Sequence, residues 1–506
     1  MPSDLASSTS PRRRRLAAAL AAFLTALAST AQEPAAETLR LSLDEAIVMA
    51  LETNLALAVE RLTPAIRQTA EDEAQAVFDP VVNADATARR ERLERRGADG
   101  RFRHVDQDSL AVSGAISRHL PSGTTLTAGA EASVNDASTG GQESAGGLYV
   151  GATQALLRGR SVAANLARIR EARLLTAQSE HEVRAVIEAI AADVEDTYWD
   201  LALAERRIAI YTESLKVAEQ YLRETRERIA AGTAAEIELY AAEAEIPLRR
   251  QGLISADGAM KISRLRLLRL INPAGDAFWD RAIDLTDQPQ APAMDPDPVA
   301  DHVALALARR PDLAQARLQI DLQDVELVRT RDGLLPRLDA FINLGKTGYA
   351  RAFPQALWNL GTHDTYAVTA GLTYEYALGN REARASQRRA VLGQEQAEAA
   401  LANLAQLIEL DVRTAYVKVA STHEQVAASA ATCRLRQETL RAETEKSRVG
   451  KSTSFLVAQA QRDLLASQIV EVEAVVELLH ALTTLYRLES SLLERRGIAL
   501  GDLPRD

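Results

Sequence analysis

The chain has 506 residues, a formal net charge of −11 and one cysteine. Aromatic residues make up only 4% and charged residues 25%, which is typical of long packed helices. The cysteine, Cys433, has no second cysteine for a disulfide within the chain, and its place in the helical pattern predicts a small buried hydrophobic residue. This acidic composition argues against nucleic acid as a partner.

Residues 1–31 have the pattern of a cleaved secretory signal peptide. A basic segment from Arg12 to Arg15 precedes an apolar run from Leu16 to Leu27, and small residues follow up to Ala31. The apolar run is too short to span a bilayer. Cleavage removes four Arg and one Asp, which changes the net charge from −11 to −14. The alternative is an uncleaved anchor.

The sequence contains an internal repeat of a long helical pattern. An offset of 218 positions aligns Gly232 with Gly450 and Leu270 with Leu488 without a gap. Each copy is a long helical pattern with a heptad seam, interrupted once at a glycine, which is the residue that adopts positive φ at a helix end. This predicts two helical hairpins, and the helices reach on the order of 100 Å. The predicted tips are Ala231, Gly232, Thr233, Val449, Gly450 and Lys451.

Two segments, about 80–157 and about 336–378, alternate with period two and predict β-strands. Six alternating runs are present, and residues 89–103 and 135–147 are predicted to be exposed loops between them. In 366–378 every even position is apolar, which is typical of a membrane barrel with aromatic girdles. The predicted girdle residues are Tyr149, Phe341, Tyr366, Tyr374 and Tyr376. The alternative is a soluble sheet that covers a core on one side.

These patterns divide the chain into two tandem repeats. The first repeat is 32–271 and the second is 299–495, and each contains a helix, strands and a long hairpin. Residues 272–298 carry five prolines and are predicted to be a linker, and 496–506 are predicted to be a C-terminal tail. The predicted fold class is mainly α with transmembrane β, in two tandem structural repeats.

The whole mature chain resembles the TolC-type outer-membrane efflux proteins. The resemblance depends on Asn54-Leu55, the Leu156-Leu157-Arg158-Gly159 segment, the tip at Gly232, the Arg310-Pro311-Asp312-Leu313 segment and the tip at Gly450, in this order. It implies a homotrimer whose strands form one outer-membrane β-barrel, continued by a long periplasmic α-helical coiled-coil barrel. It also implies that the tips meet a periplasmic adaptor that is coupled to an inner-membrane transporter. Members commonly donate four strands each, so we expect twelve membrane strands with the extra hairpin outside, and eighteen as the alternative.

Acidic residues after the first tip are candidates for the periplasmic aperture. Family members often carry an acid about six positions after the tip glycine, and Glu238 occupies that place, with Glu236 nearby. In the second copy Leu456 stands there and Gln459 follows. The alternative is that both acids are solvated residues that stabilise a helix start.

The sequence carries no pattern of a catalytic or cofactor site. No His-Glu-x-x-His segment, phosphate-binding glycine loop or Gly-x-Ser-x-Gly elbow is present. We therefore expect no enzyme activity, no metal and no cofactor. The predicted function is a passive exit duct of a tripartite efflux or type I secretion system, in contact with outer-membrane lipid. The alternative is a periplasmic coiled-coil tether that conducts nothing.

Overall fold

The structure, a computed structural model, describes residues 38–96, 100–138, 141–274, 278–293 and 297–498. The predicted signal peptide and the last residues of the predicted tail lie outside these ranges. None of the described helices combines the length and apolarity that a membrane-spanning helix requires.

The first half of the chain contains a short strand, two helices, four long strands and a long hairpin. In order these are β1 (Leu39–Leu41), α1 (Leu43–Thr53), α2 (Leu55–Gln75), β2 (Val81–Arg96), β3 (Phe102–His119), β4 (Thr124–Ala137), β5 (Gly141–Ala155), α3 (Val162–Asn165), α4 (Ala167–Ala230) and α5 (Ile237–Ile271).

The second half has two long strands separated by a helix, followed by another long hairpin. Its elements are β6 (Ile283–Leu285), α6 (Val299–Arg309), α7 (Pro311–Gly333), β7 (Arg337–Ala350), α8 (Phe353–Thr362), β8 (Ala367–Glu375), α9 (Arg381–Arg448), α10 (Ser454–Leu488) and α11 (Leu492–Arg495). The predicted linker therefore contains a strand, β6, which pairs in parallel with β1.

Six strands form one antiparallel sheet in the order β2-β3-β4-β5-β7-β8. The extra hairpin, residues 109–134, corresponds to β3 and β4, which pair with each other from Gln107↔Ala137 to His119↔Thr125 and belong to this sheet. It is therefore continuous with the other four strands, and the number of strands within the membrane stays a prediction.

Most of the residues in the two predicted loops also belong to strands. Residues 89–96 continue β2, and Arg92 there contacts Asp106 of β3 across the pair, with Nε and Oδ1 at 2.6 Å. Residues 135–137 and 141–147 likewise extend β4 and β5. Charge and glycine content suggested loops, but alternating charges pair across strands and glycines accept large neighbours, so neither feature ends a strand here.

The sheet has one apolar and one polar face, and the register assigns even-numbered residues of all six strands to the apolar face. Val150, for example, lies opposite both Ala128 and Leu344. The large exposed apolar side chains on this face are Val82, Leu110, Val112, Ile116, Leu126, Leu148, Val150, Ile342, Leu344, Val368, Leu372 and Tyr374. Odd-numbered positions such as Thr127 and Asn343 form the other face.

The register divides the five predicted girdle residues between the two faces. Tyr374 lies on the apolar face near one end of β8, and Tyr366 and Tyr376 flank that strand. Tyr149 and Phe341 are odd-numbered and lie on the polar face, where their rings cover Gly129 and Gly371 of the neighbouring strands. One girdle of all five is therefore wrong, because a side chain on the polar face cannot reach the lipid side.

The predicted strand segment 336–378 also contains a helix, α8. Pro354 occupies its first turn, where a missing N–H costs nothing. Period-two alternation holds only on either side of α8.

The long helices form two hairpins of similar dimensions. Helix α4 has 64 residues and α9 has 68, and their partners α5 and α10 have 35 each. At 1.5 Å per residue, α4 and α9 extend roughly 100 Å.

Two apolar clusters hold the body together at its waist, where the shorter helices pack around the middle of α4 and α9. In the first, Ile47, Tyr198, Leu268 and Ile271 are fully buried, and the Tyr198 hydroxyl donates to the Leu41 carbonyl at 3.1 Å. In the second, Ile408 and its neighbours on α9 pack against α6 and α10. Short helices therefore brace the long ones where they would otherwise lack a core.

Residues that carried the family resemblance terminate or start elements at this waist. The Asn54 side chain caps α2 by accepting from the Ala56 N–H at 2.9 Å, and its amide donates to the Leu270 carbonyl at 2.9 Å. Arg310, which precedes α7, pairs with Asp312, with Nε and Oδ1 at 3.0 Å. The Asn54 side chain thereby satisfies helix-end groups that burial would otherwise leave unpaired.

A buried carboxylate on α4 makes stability depend on pH. Glu188 is only 4% exposed, and its Oε2 receives no hydrogen bond from the described residues. Burial raises its pKa to about 7, and the nearby charge of Arg184 opposes this only in part. The folded protein therefore binds the proton more tightly than the unfolded chain, and stability falls as pH rises from the ordinary glutamate pKa to about 7.

We expect Glu188→Gln to stabilise the protein at pH 8 by about 2–3 kcal/mol, because the amide needs no deprotonation. At pH 4 the variant and the parent should melt alike. Glu180→Gln, an exposed position on the same helix, is the matched control and should change neither melting temperature. An equal gain from Glu188→Gln at both pH values would contradict this account.

The Tyr149 ring predicts a coupled pair of substitutions on the polar face. A Cβ at Gly129 would lie 2.5 Å from the ring, so Gly129→Val should displace it and destabilise the protein by about 1–3 kcal/mol. Adding Tyr149→Ala should recover part of that loss in thermal unfolding. Ala128→Val, which changes the opposite face of β4, should be additive with Tyr149→Ala. If the effects of Gly129→Val and Tyr149→Ala on stability were also additive, the contact between the Tyr149 ring and Gly129 would be refuted.

Candidate functional site: the two hairpin tips

Each tip is a tight turn closed by backbone hydrogen bonds. Gly232 has φ of 71°, and the Thr233 N–H donates to the Arg228 carbonyl at 2.9 Å. Gly450 has φ of 75°, and the Lys451 N–H donates to the Lys446 carbonyl at 2.8 Å. Open space surrounds both glycines, so their requirement is conformational: a side chain would be strained at positive φ.

The predicted docking residues are all exposed. This holds for Ala231, Gly232, Thr233, Val449, Gly450 and Lys451. The second tip presents a cation at Lys451 where the first has Thr233, and Val449 is 67% exposed beside it. The two turns therefore offer a partner the same backbone shape with different chemistry.

The structure brings the two tips of one chain side by side. A cavity of about 700 Å³ lies between them, and both hairpins contribute to its wall. The first supplies Tyr221, Thr225 and Arg228, and the second supplies Ser447 and Gln461 among others. Loose packing is therefore a property of this end, in contrast to the waist.

Glu238 connects the hairpins across this space. Its Oε2 accepts a hydrogen bond from the Ser454 hydroxyl, and the Tyr221 hydroxyl donates to the Ser454 carbonyl at 3.1 Å. Burial raises the pKa of Tyr221, which keeps its hydroxyl a donor. Glu236 and Gln459, the other aperture candidates, are exposed.

A buried ionic cluster lies about three helical turns beyond the tips. Arg249 is 1% exposed, and its side chain pairs with Glu245 on α5 and donates from Nε to the Ser214 hydroxyl on α4 at 2.8 Å. Arg462 of α10 pairs with the other oxygen of Glu245. Sequence reasoning missed this cluster, although the i,i+4 spacing of Glu245 and Arg249 was a usable signal for a pair on one helix.

Ser454 and Ser452 allow a matched test of the tip contact. Both are near the second turn, but the Ser452 hydroxyl donates to Glu443 of its own hairpin at 2.6 Å. Ser454→Ala should speed hydrogen exchange of amides near Glu238 about 10-fold or more, because a hydrogen bond to a charged group is worth about 1.5–3 kcal/mol.

The control Ser452→Ala should alter exchange only in the second tip. Mass spectrometry of the two tip peptides separates these cases. If both variants changed the first tip equally, or neither did, the Glu238 contact would not hold the hairpins together.

The chain matches the family model described as outer membrane efflux protein over residues 46–273 and 303–489. Its fold is similar to that of the outer-membrane channel OprN, with 17% identity, 89% of this chain and 90% of that chain covered, and a TM-score of 0.66. VceC from Vibrio cholerae is 15% identical, with 88% of this chain and 95% of that chain covered and a TM-score of 0.64. The Neisseria gonorrhoeae MtrE channel, in its open state, is 18% identical, with 89% of each chain covered and a TM-score of 0.61.

No curated protein matches the chain. The family model nevertheless covers most of its length, including the strands and both hairpins. The sheet belongs in the outer membrane and the helices extend into the periplasm, which agrees with the apolar sheet face described above. The chain therefore belongs to the outer membrane efflux protein family.

Proposed function

We propose that this protein is the exit duct of a tripartite efflux or type I secretion system, a passive channel made by three copies of the chain. The observation that carries the proposal is the six-stranded sheet with one apolar face, joined directly to two long helical hairpins. A periplasmic coiled-coil tether would not need a sheet with an exposed apolar face. A channel needs both parts, one to cross the membrane and one to cross the periplasm.

Strand pairing supports the trimer. Within the described residues, β2 and β8 each pair on one side only, and an open sheet edge cannot face lipid. Six strands are too few to close around a channel, since about eight make a barrel that side chains fill. Three chains supply about eighteen strands, a number at which porins enclose water. We therefore favour eighteen membrane strands over twelve.

The hairpins supply the periplasmic tunnel in this proposal. The exposed turns at Gly232 and Gly450 dock hairpins of a periplasmic adaptor, which couples the duct to an inner-membrane transporter. Because Lys451 has no cationic counterpart at Thr233, the two docking sites differ in affinity for an acidic adaptor segment. The tandem repeats, 32–271 and 299–495, then place two unequal docking sites on each chain.

The aperture is assigned to the same end. Glu238 lies on the second helix of the first hairpin just after the tip, with Glu236 next to it in sequence, and Gln459 lies on the second helix of the other hairpin. In the proposed trimer three copies of Glu238 surround the axis, while the Ser454 contact holds each one in place. An adaptor that separates the hairpins breaks this contact and widens the passage.

Single-particle electron microscopy of the mature protein in mild detergent tests the proposal. The expected particle has threefold symmetry, a detergent belt around eighteen strands and a hollow stem of roughly 100 Å. Conductance in planar bilayers should accompany it. A solid rod without a belt and without conductance would replace the duct with the periplasmic tether, and a twelve-strand barrel would refute only the strand count.

A further inference from the structure

Helix α8 lies on the apolar face of the sheet, near the end of the strands that is remote from the long helices. It packs over the facing pair Gly146 and Gly348, both even-numbered. A Cβ at Gly348 would lie 2.2 Å from the Ala356 carbonyl oxygen, so backbone meets backbone there. The two glycines therefore form a seat for a helix on the surface that faces lipid.

The helix has three faces with different surroundings. Ala356 is fully buried and contacts the sheet with Leu360 and with the tip of the half-exposed Leu357 side chain. A second face remains apolar and exposed: Leu357 is 51% and Trp358 69% exposed, and Pro354 lies on the same side. Gln355, Asn359 and Thr362 form a polar third face at i, i+4 and i+7. Only the apolar face lacks a partner within the described residues.

The polar face of α8 is directed towards the strand ends. The Asn359 side chain donates from Nδ2 to the Tyr349 carbonyl at 2.8 Å, one residue from the end of β7. The opposite flank contains Leu357, whose Cδ2 lies 3.3 Å from where a Cβ at Gly146 would be, and Leu148 is the next residue of β5 on the same sheet face. The helix therefore has its polar flank on the side of the water and its apolar flank on the side of the hydrocarbon.

Neighbouring side chains place α8 at the border of the apolar band. On β7 the apolar positions Ile342 and Leu344 are followed by Lys346 and then by the seat at Gly348. Tyr366, 83% exposed, immediately precedes β8 beside the helix. Cations and aromatic residues at the end of an apolar band are typical of the membrane–water interface.

We propose that α8 is an interfacial helix that inserts Trp358 and Leu357 into the outer leaflet at the boundary between headgroups and acyl chains. The occupant of its free face is lipid rather than another copy of the chain. Copies meet at the sheet edges β2 and β8, whereas α8 sits over β5 and β7. Its exposed side chains also continue the apolar face of the sheet. The inference rests on the barrel proposed above.

Tryptophan fluorescence tests this directly, because the chain has three tryptophans. Trp199→Phe with Trp279→Phe leaves Trp358 as the only one. The probe is a phosphatidylcholine vesicle with bromine on the acyl chains, placed either near the headgroup or near the chain end. Trp358 emission should shift to shorter wavelength and be quenched about twofold more by the shallow bromines, since interfacial helices insert roughly 5–10 Å.

Two control variants separate the possible failures. A variant with Trp279 alone reports from the waist, where Phe278 packs against the core, and should not respond to bromine. A tryptophan-free background with Leu372→Trp reports from the middle of β8, and deep bromines should quench it. If Leu372→Trp responds and Trp358 does not, the interfacial helix is refuted while the barrel stands. If neither responds, the barrel is refuted too.

Acrylamide identifies what replaces lipid when the inference fails. Strong quenching of Trp358 by acrylamide, with none by bromine, would mean that the helix faces water. Protection from both quenchers would mean that protein covers it. Either result overturns the assignment.

Discussion

Backbone hydrogen bonding in lipid is the constraint on which the rest of this structure depends. A sheet that faces hydrocarbon cannot leave its N–H and C=O groups unpaired, because no water is present to replace the missing partner. Within the described residues, β2 and β8 each have one unpaired side. In the proposed trimer, further copies of the chain pair with these two edges and complete the sheet. The helices then share the symmetry of the proposed assembly, since they follow the strands directly.

The waist provides the buried apolar core that a globular domain has at its centre. Long helices in the proposed tunnel wall have one neighbour on each side and can bury few side chains. The short helices α1 and α6 supply that depth around Tyr198 and Ile408. The chain end contributes as well, because Arg496 donates from Nε to Glu195 at 3.2 Å and compensates a carboxylate that is 3% exposed.

Local signals in the sequence were sufficient for the hairpins and not for the contacts between them. Gly232 and Gly450 could be found because positive φ and a broken heptad pattern are encoded within a few residues. The contact of the Tyr149 ring with Gly129 depends on how β4 and β5 pair. Alternation within one strand does not predict which residue of the partner strand lies opposite. Helix α8 was missed because ten residues give too few turns to distinguish its period from that of the strands around it. The contact of Glu238 with Ser454 joins residues 216 positions apart, so no local pattern contains it.

The difference in packing between waist and tips indicates where the molecule can move. Two apolar clusters fix the waist, whereas individual side-chain hydrogen bonds and an open cavity connect the tips. Each such bond is worth about 0.5–3 kcal/mol, so a docking partner that supplies equivalent contacts can replace it. Further from the tips, the cluster of Glu245, Arg249 and Arg462 joins the same two hairpins through the pair of Arg462 with Glu245. In the proposed opening, separation at this level would break that additional ion pair, so the hairpins separate more easily at the tips than at the cluster.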